Sequence, residues 1–322
     1  MTLQKVFIDG EAGTTGLQIA ARLADRDDLE LIQIDPAARK DLGPRAAALN
    51  AADVAILCLP DDAARDAVAL VTNPTTRIID ASSAHRVSPG WVYGFPELDG
   101  QQRSRILQAE RISNPGCYAI AAVSMLRPLI AAGAIPANWP VSLTGLSGYS
   151  GGGKALINSF ENSDSADAIS SANYHYALTL AHKHVPEITR WSGLTNAPIF
   201  LPTVGRYYKG MLVSVPLPLW ALPGALSPQD IRDILRAHYD GEPYVAVANE
   251  AETLTTGRLE PEALNDSNEL RLHVLRDAAN SQVVVVAQLD NLGKGASGQA
   301  VQTLNLLLNV DEGSGLSFAR GS

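Results

Sequence analysis

Lys5-Val6-Phe7-Ile8-Asp9-Gly10-Glu11-Ala12-Gly13-Thr14-Thr15-Gly16 decides the fold. Lys5 to Asp9 reads as a buried strand, and Thr15 to Asp25 carries helical spacing through Leu17, Ala20, Ala21, Leu23 and Ala24. Between them the glycines fall as G-x-x-G-x-x-G. Glycine lets the chain turn tightly and approach a pyrophosphate, and the N–H groups at the helix start hold the anion. Gly10, Gly13, Thr14, Thr15 and Gly16 are therefore candidate cofactor-binding residues.

Outward from that turn, strand signals at Leu29–Ile34, Val54–Leu59 and Arg77–Asp80, with a helix at Ala63–Val71, predict a doubly wound parallel sheet. The end of the second strand bears on the choice of nucleotide. Asp35 stands where an acid binds a ribose 2′-hydroxyl, whereas Arg39 and Lys40 just beyond suit a 2′-phosphate. The residues alone leave both open.

The pattern changes after Cys117. A helix over Ala119–Ala132 is followed by strand candidates at Val141–Leu146, Ile199–Val204, Met211–Pro216, Tyr244–Val247, Leu270–Leu275 and Val283–Leu289. Alternation in several of them predicts an antiparallel or mixed sheet. Ser227-Pro228-Gln229-Asp230 opens a capped helix, and Gln299–Asn309 is a closing helix. The fold class is α/β: a Rossmann-like parallel-sheet nucleotide domain, residues 1–116 plus 291–322, with a second α+β catalytic and dimerisation domain, residues 117–290.

At 322 residues, 46% hydrophobic and 18% charged, the chain suits a folded globule of two domains. A net charge of −9 disfavours nucleic acid and anionic membrane as partners. Two cysteines do not make a secreted disulfide framework, no apolar run is long enough to span a membrane, and the first residues lead straight into a strand. The expectation is a cytoplasmic protein with reduced thiols.

Asn114-Pro115-Gly116-Cys117-Tyr118 brings the chain sharply into the long helix and sets Cys117 at its N-terminus. The positive end of the helix dipole there lowers a thiol pKa and favours a nucleophilic thiolate. Cys58, in an apolar strand, reads as a core residue. His182-Lys183-His184-Val185-Pro186-Glu187 supplies candidate bases near neutral pH. No ligand spacing completes a metal site, so none is expected. Gly148-Tyr149-Ser150-Gly151-Gly152-Gly153-Lys154-Ala155 matches both the G-x-S-x-G hydrolase elbow and, but for Ala155, a P-loop. A loop whose N–H groups, hydroxyls and Lys154 meet an anionic substrate explains it better.

Together these motifs, with Asp80-Ala81-Ser82-Ser83-Ala84-His85-Arg86, Gly94-Phe95-Pro96-Glu97-Leu98 and Asp290-Asn291-Leu292-Gly293-Lys294-Gly295-Ala296-Ser297-Gly298-Gln299-Ala300, resemble the N-acetyl-gamma-glutamyl-phosphate reductases of the shorter type, relatives of the aspartate-semialdehyde dehydrogenases. The resemblance covers nearly the whole chain. It implies NADPH-dependent reduction of an acyl phosphate, N-acetyl-glutamyl 5-phosphate, to its semialdehyde in arginine biosynthesis. It implies Cys117 as nucleophile and His182 as general acid and base. His184, Glu187, Arg86, Tyr149, Ser150 and Lys154 would meet substrate, Arg86 holding the leaving phosphate. Ser82, Asn291, Lys294, Gly295 and Ala296 would touch NADP. A homo-oligomer, dimer or tetramer, is also implied. The rival readings are a paralogue acting on aminoadipyl or aspartyl phosphate and a non-catalytic nucleotide-sensing regulator on the same scaffold.

Overall fold

The computed structural model describes residues 3–319, so the domain limits drawn at residues 1–2 and 320–322 lie outside the described residues. The chain divides into two compact units. The first takes in residues up to Pro96, Gly100–Gly116 and Ala296–Ser317; the second takes in Glu97–Asp99, Cys117–Gly295 and the residues from Phe318. The return to the first unit thus comes at Ala296, whereas the sequence reading set it at residue 291. Glu97–Asp99 groups with the second unit although both its flanks belong to the first.

The first unit holds strands β1 (Gln4–Asp9), β2 (Leu29–Ile32), β3 (Val54–Leu57), β4 (Arg77–Asp80), β5 (Val92–Tyr93) and β6 (Arg111–Ser113). They form one wholly parallel sheet in the order β2-β1-β3-β4-β6-β5. Its helices are α1 (Thr14–Leu23), α2 (Leu42–Ala51), α3 (Asp61–Leu70) and α4 (Gln102–Gln108). Successive strand residues point to opposite faces. Val6, Ile8, Val54 and Ile56 pack with Ile19 and Leu23 of α1 and Ile106 of α4, while Phe7, Ala55 and Leu57 pack with Leu49 of α2 and Ala64 and Ala67 of α3. Both faces are covered, which is why these strands read as unbroken apolar runs. The sequence reading ran β2 on to Ile34 and β3 on to Leu59, and it missed α2, whose apolar positions are mostly alanines.

The second unit opens with α5 (Cys117–Ala131), and Tyr118 to Leu126 of that helix are all buried. A helix apolar on every side must sit in a core, and α5 packs against α7 (Val185–Ser192), α8 (Pro228–His238) and a seven-stranded mixed sheet. Those strands are β7 (Ser142–Gly148), β8 (Asn173–His175), β9 (Ile199–Gly205), β10 (Met211–Pro218), β11 (Val245–Val247), β12 (Leu270–Arg276) and β13 (Gln282–Leu289), in the order β11-β12-β13-β10-β7-β9-β8. Pairs β7–β9 and β11–β12 are parallel and the others antiparallel. Helices α6 (Gly153–Glu161) and α9 (Glu250–Thr256) complete the unit, and α10 (Gly298–Leu308) belongs to the first. The capping box predicted at Ser227 and Asp230 forms at the start of α8. Among the described residues no helix is long and apolar enough to cross a membrane, and no three His, Cys, Asp or Glu side chains gather to hold a metal ion.

Candidate active site

In the first unit the chain leaves β1 for β2 on one side and returns for β3 on the other. A ligand crevice opens at such a switch point, beyond the carboxyl ends of the strands. A cavity of about 360 Å³ lies there, lined by Asp9, Gly10, Glu11 and Ala12 after β1, by Ile34, Arg39 and Lys40 after β2, and by Leu59 and Ala63 after β3. Gly10 has φ +87°, and a Cβ on it would collide with the Cys58 carbonyl oxygen; a Cβ on Gly16 would lie 2.5 Å from the Gly10 oxygen. Only glycine fits either place. Gly13 caps α1 without a side-chain hydrogen bond, and the buried Thr14 Oγ1 finds no partner among the described residues. Bare helix-start donors and an unsatisfied hydroxyl beside a glycine cradle fit a nucleotide pyrophosphate.

Asp35 is engaged in its own turn. Its Oδ1 accepts from the Ala37 N–H at 2.8 Å, capping the turn Pro36–Ala38, and it is absent from the cavity lining that includes Arg39 and Lys40. Arg45, unremarked in the sequence, also lines the cavity and pairs with Asp9 at 2.8 Å. Cys58 is half-buried, and burial first, then the Asp80 and Asp9 carboxylates, pushes its thiol up to about 12.

In the second unit Cys117 is the first residue of α5 and is half-buried. The segment leading into it is tied down. Arg86 donates from Nε to the Asn114 carbonyl and from Nη2 to the Ala81 carbonyl, each at 3.0 Å, and Asn114 Nδ2 donates to the Ala296 carbonyl at 3.0 Å. Tyr118 and Tyr176 crowd the thiol. Both phenols are pushed well up, first by burial, and a charge on Cys117 adds to each. Tyr118 fits because Gly145 of β7 has no Cβ to strike its ring, and its hydroxyl donates to the Thr203 carbonyl at 3.2 Å.

Tyr176 joins this cluster to His182. Its hydroxyl lies 3.3 Å from His182 Nε2, while His182 Nδ1 accepts the His184 backbone N–H at 3.1 Å. A nitrogen that accepts a backbone proton carries none itself, so the neutral ring holds its proton on Nε2. Edge contacts to Tyr118 at 5.8 Å and Phe200 at 5.2 Å fix the ring plane. His184, the cap of α7, is buried with its ring 4.7 Å from that of His182, and Glu187 is buried in the first turn of α7.

The remaining expected residues divide. Tyr149 stacks on Phe160 and donates to Glu161 Oε1 at 2.9 Å, and Lys154 stands exposed in the first turn of α6. The strand–turn–helix required by a hydrolase elbow does form around Ser150, but its hydroxyl is buried and accepts from Asn291 Nδ2 at 3.1 Å. Ser82 is held in a turn, its hydroxyl donating to Asp80 Oδ2 at 2.8 Å.

Three residues expected at the cofactor make contacts with neighbours in the second unit. Asn291 uses its amide on Ser150 and on the Gly210 N–H, which it accepts at 2.7 Å. Lys294 is sealed inside the second unit, its Nζ 2.7 Å from Glu97 Oε1 with both side chains fully buried. Gly295 abuts the nucleophile candidate, since a Cβ on it would lie 2.8 Å from Cys117 Cβ. All three thus have polar groups or backbone engaged by neighbours in the second unit. Tyr118 and Tyr176 were missed. The tyrosine next to Cys117 carries no motif of its own, and Tyr176 is placed by a turn with non-glycine residues Ala177 and Leu180 at positive φ.

Residues 117–291 match the family described as semialdehyde dehydrogenase, dimerisation domain, and residues 36–106 match semialdehyde dehydrogenase, NAD binding domain. The chain is 51% identical to the N-acetyl-gamma-glutamyl-phosphate reductase 2 of Pseudomonas putida, over 96% of this chain and 98% of that protein. It is 47% identical to the N-acetyl-gamma-glutamyl-phosphate reductase of Trichormus variabilis, over 98% of this chain and all of the other. Among solved structures, aspartate semialdehyde dehydrogenase II from Vibrio cholerae superposes with a TM-score of 0.69 at 16% identity, covering 96% of this chain and 99% of that one. Aspartate semialdehyde dehydrogenase with NADP from Candida albicans does so with a TM-score of 0.64 at 14% identity, covering 95% and 99%. The glycine cradle and the Cys117 cluster thus stand in a two-unit fold shared with semialdehyde dehydrogenases, and the chain belongs to the N-acetyl-gamma-glutamyl-phosphate reductase family.

Proposed function

We propose that this protein reduces N-acetyl-L-glutamyl 5-phosphate to N-acetyl-L-glutamate 5-semialdehyde with NADPH, releasing phosphate, as a cytoplasmic homo-oligomer in arginine biosynthesis. The observation that carries the reading is Cys117 at the N-terminus of α5, clustered with Tyr176 and the Nε2 proton of His182.

The dipole of α5 favours the Cys117 thiolate. Its sulfur attacks the acyl carbon; a C–S bond forms, the C–O bond to phosphate breaks, and phosphate leaves with the electron pair. Arg86 is the proposed cation for that leaving charge. When bound, NADPH would supply the hydride by which the resulting thioester reaches the aldehyde level. His182 Nε2–H stabilises the oxyanion of the tetrahedral adduct, and the adduct collapses by expelling the Cys117 thiolate; the one proton the cycle consumes is taken from water by the departing phosphate. In this reading His182 acts as a neutral hydrogen-bond donor, where the resemblance implies a general acid and base. The backbone N–H aimed at Nδ1 leaves Nε2 as the ring's donor. Tyr149, Ser150, Lys154, His184 and Glu187 are the proposed walls of the acyl pocket.

Gly10, Gly13, Thr14, Thr15 and Gly16 would hold the pyrophosphate, and Arg39 with Lys40 the 2′-phosphate. That choice of NADP rests on the lining of the cavity and on the capping role of Asp35. The test is NADPH oxidation with N-acetyl-glutamyl, aminoadipyl and aspartyl phosphates at equal concentration, in wild type and Cys117→Ala. Preference for the first substrate and loss of turnover in the variant support the reading. Undiminished turnover by Cys117→Ala removes it.

A further inference from the structure

Glu97 and Lys294 form an ion pair with no solvent exposure on either side chain, Nζ to Oε1 2.7 Å. Taking two charges out of water costs several kcal/mol per ion, and a well-packed apolar pair often does as well or better for stability. Stability is therefore a poor reason for the pair, and its surroundings offer another. Lys294 belongs to the π-helical turn Gly293–Ser297, a geometry frequent at functional sites. The turn is pinned on one side by Gly293, where any Cβ would strike the Ser267 carbonyl oxygen, and by the Gly295 N–H donating to the Asp290 carbonyl at 2.9 Å. On the other side Gly295 is the wall against which Cys117 Cβ rests.

The segment Glu97–Asp99 also reaches the helix that carries Cys117. Asp99 lies 3.8 Å from Arg127 of α5, and His238 Nε2 of α8 lies 3.2 Å from the Glu97 carbonyl oxygen. The Tyr244 ring covers Lys294 Nζ at 5.6 Å. One short segment thus grips both the turn behind the thiol and the helix beneath it.

We propose that Glu97 is a positioning residue for Cys117, acting through its buried pair with Lys294 and the Gly293–Ser297 turn. Its fully buried side chain acts through that pair and not on the reacting atoms. This rests on Cys117 being the nucleophile, so the experiment includes a readout that needs no acyl phosphate.

The test uses the full chain as wild type, Glu97→Gln, and the double variant Glu97→Leu with Lys294→Met. Gln keeps the shape and a hydrogen-bond acceptor but removes the charge. Steady-state kinetics give kcat and both KM values, and peptide-mapped iodoacetamide labelling gives the rate at Cys117. A thiol displaced by about 1 Å costs about 10²-fold in kcat, so Glu97→Gln should lose about that much with both KM values within about twofold, the pattern of an interaction lost in the transition state. Labelling at Cys117 should slow in parallel. Wild-type kcat and labelling in folded Glu97→Gln overturns the proposal. If Glu97→Gln does not fold, the double variant, which buries no lone charge, decides in the same way: low kcat with unchanged KM supports the role, and wild-type kcat overturns it. Failure of wild type to turn over acyl phosphate would sink the functional reading alone, since the labelling rates would still rank the variants.

Discussion

Replacing Gly295 by alanine perturbs the nucleophile without altering any group that does chemistry. The new Cβ would stand 2.8 Å from Cys117 Cβ, 3.4 Å from Cys117 Cα and 3.2 Å from the Asp290 carbonyl oxygen. Carbon atoms pack best at about 3.5–4.0 Å, so the turn and the first residue of α5 must separate by roughly 1 Å. Neither can yield by a rotamer change, because the clash falls on a main-chain-proximal carbon. Overpacking of this kind costs about 1–3 kcal/mol of stability, and the displacement costs about 10²-fold in kcat. Gly43, exposed in α2 with nothing within 4 Å of its built Cβ, is the control. Alanine there should leave kcat alone and change stability by no more than about 0.5 kcal/mol, as exposed substitutions do. The assay is steady-state NADPH oxidation with thermal melts on both variants. Gly295→Ala melting normally with wild-type kcat would refute the claim that this glycine sets the position of the thiol.

Three further predictions follow from the same contacts. Arg39→Ala and Lys40→Ala together should raise KM for NADPH at least about tenfold, the loss of a charge-assisted contact, while NADH kinetics stay level; equal losses for both nucleotides would remove the 2′-phosphate assignment. His182→Phe should lose about 10²–10³-fold in kcat, as for a deleted oxyanion donor, and His182→Gln, which keeps an N–H donor, should recover part of it; identical loss in both would return His182 to proton transfer. Cys58, with its thiol pushed up to about 12 by burial, should resist iodoacetamide at pH values where Cys117 labels fully. The sign is that of a raised acid pKa: the thiol stays neutral until pH approaches that value, so labelling of Cys58 at neutral pH in the folded protein would contradict the burial.

The parts of the site that could be read from the sequence are those governed by local rules. A positive φ at Gly10 and the close approach at Gly16 have no residue but glycine as their solution. Pro115-Gly116 before an apolar run delivers Cys117 to a helix start. The capping role of Asp35 was also legible locally, since Asp-Pro opening a turn is a capping signal, and the carboxylate does cap Ala37. What could not be read depends on partners far along the chain. Lys294 sits in a motif beside the return to the nucleotide unit, yet its partner Glu97 is distant in sequence and charge alone names no mate. Asn291 ties the Ser150 turn to the start of β10 through two hydrogen bonds that no periodicity announces. Helix α6 was hidden by its glycine-rich entry, and α7 by histidines that looked like chemistry before they looked like a cap.

The central claim is that Cys117 carries the acyl group between loss of phosphate and reduction. Mixing the protein with acyl phosphate in the absence of NADPH, quenching in acid and weighing the intact chain tests it directly. The account predicts one N-acetyl-glutamyl adduct per chain, mapped to Cys117, with an equal amount of phosphate released and both lost in Cys117→Ala. Phosphate release with no adduct, or an adduct on any other residue, would contradict it.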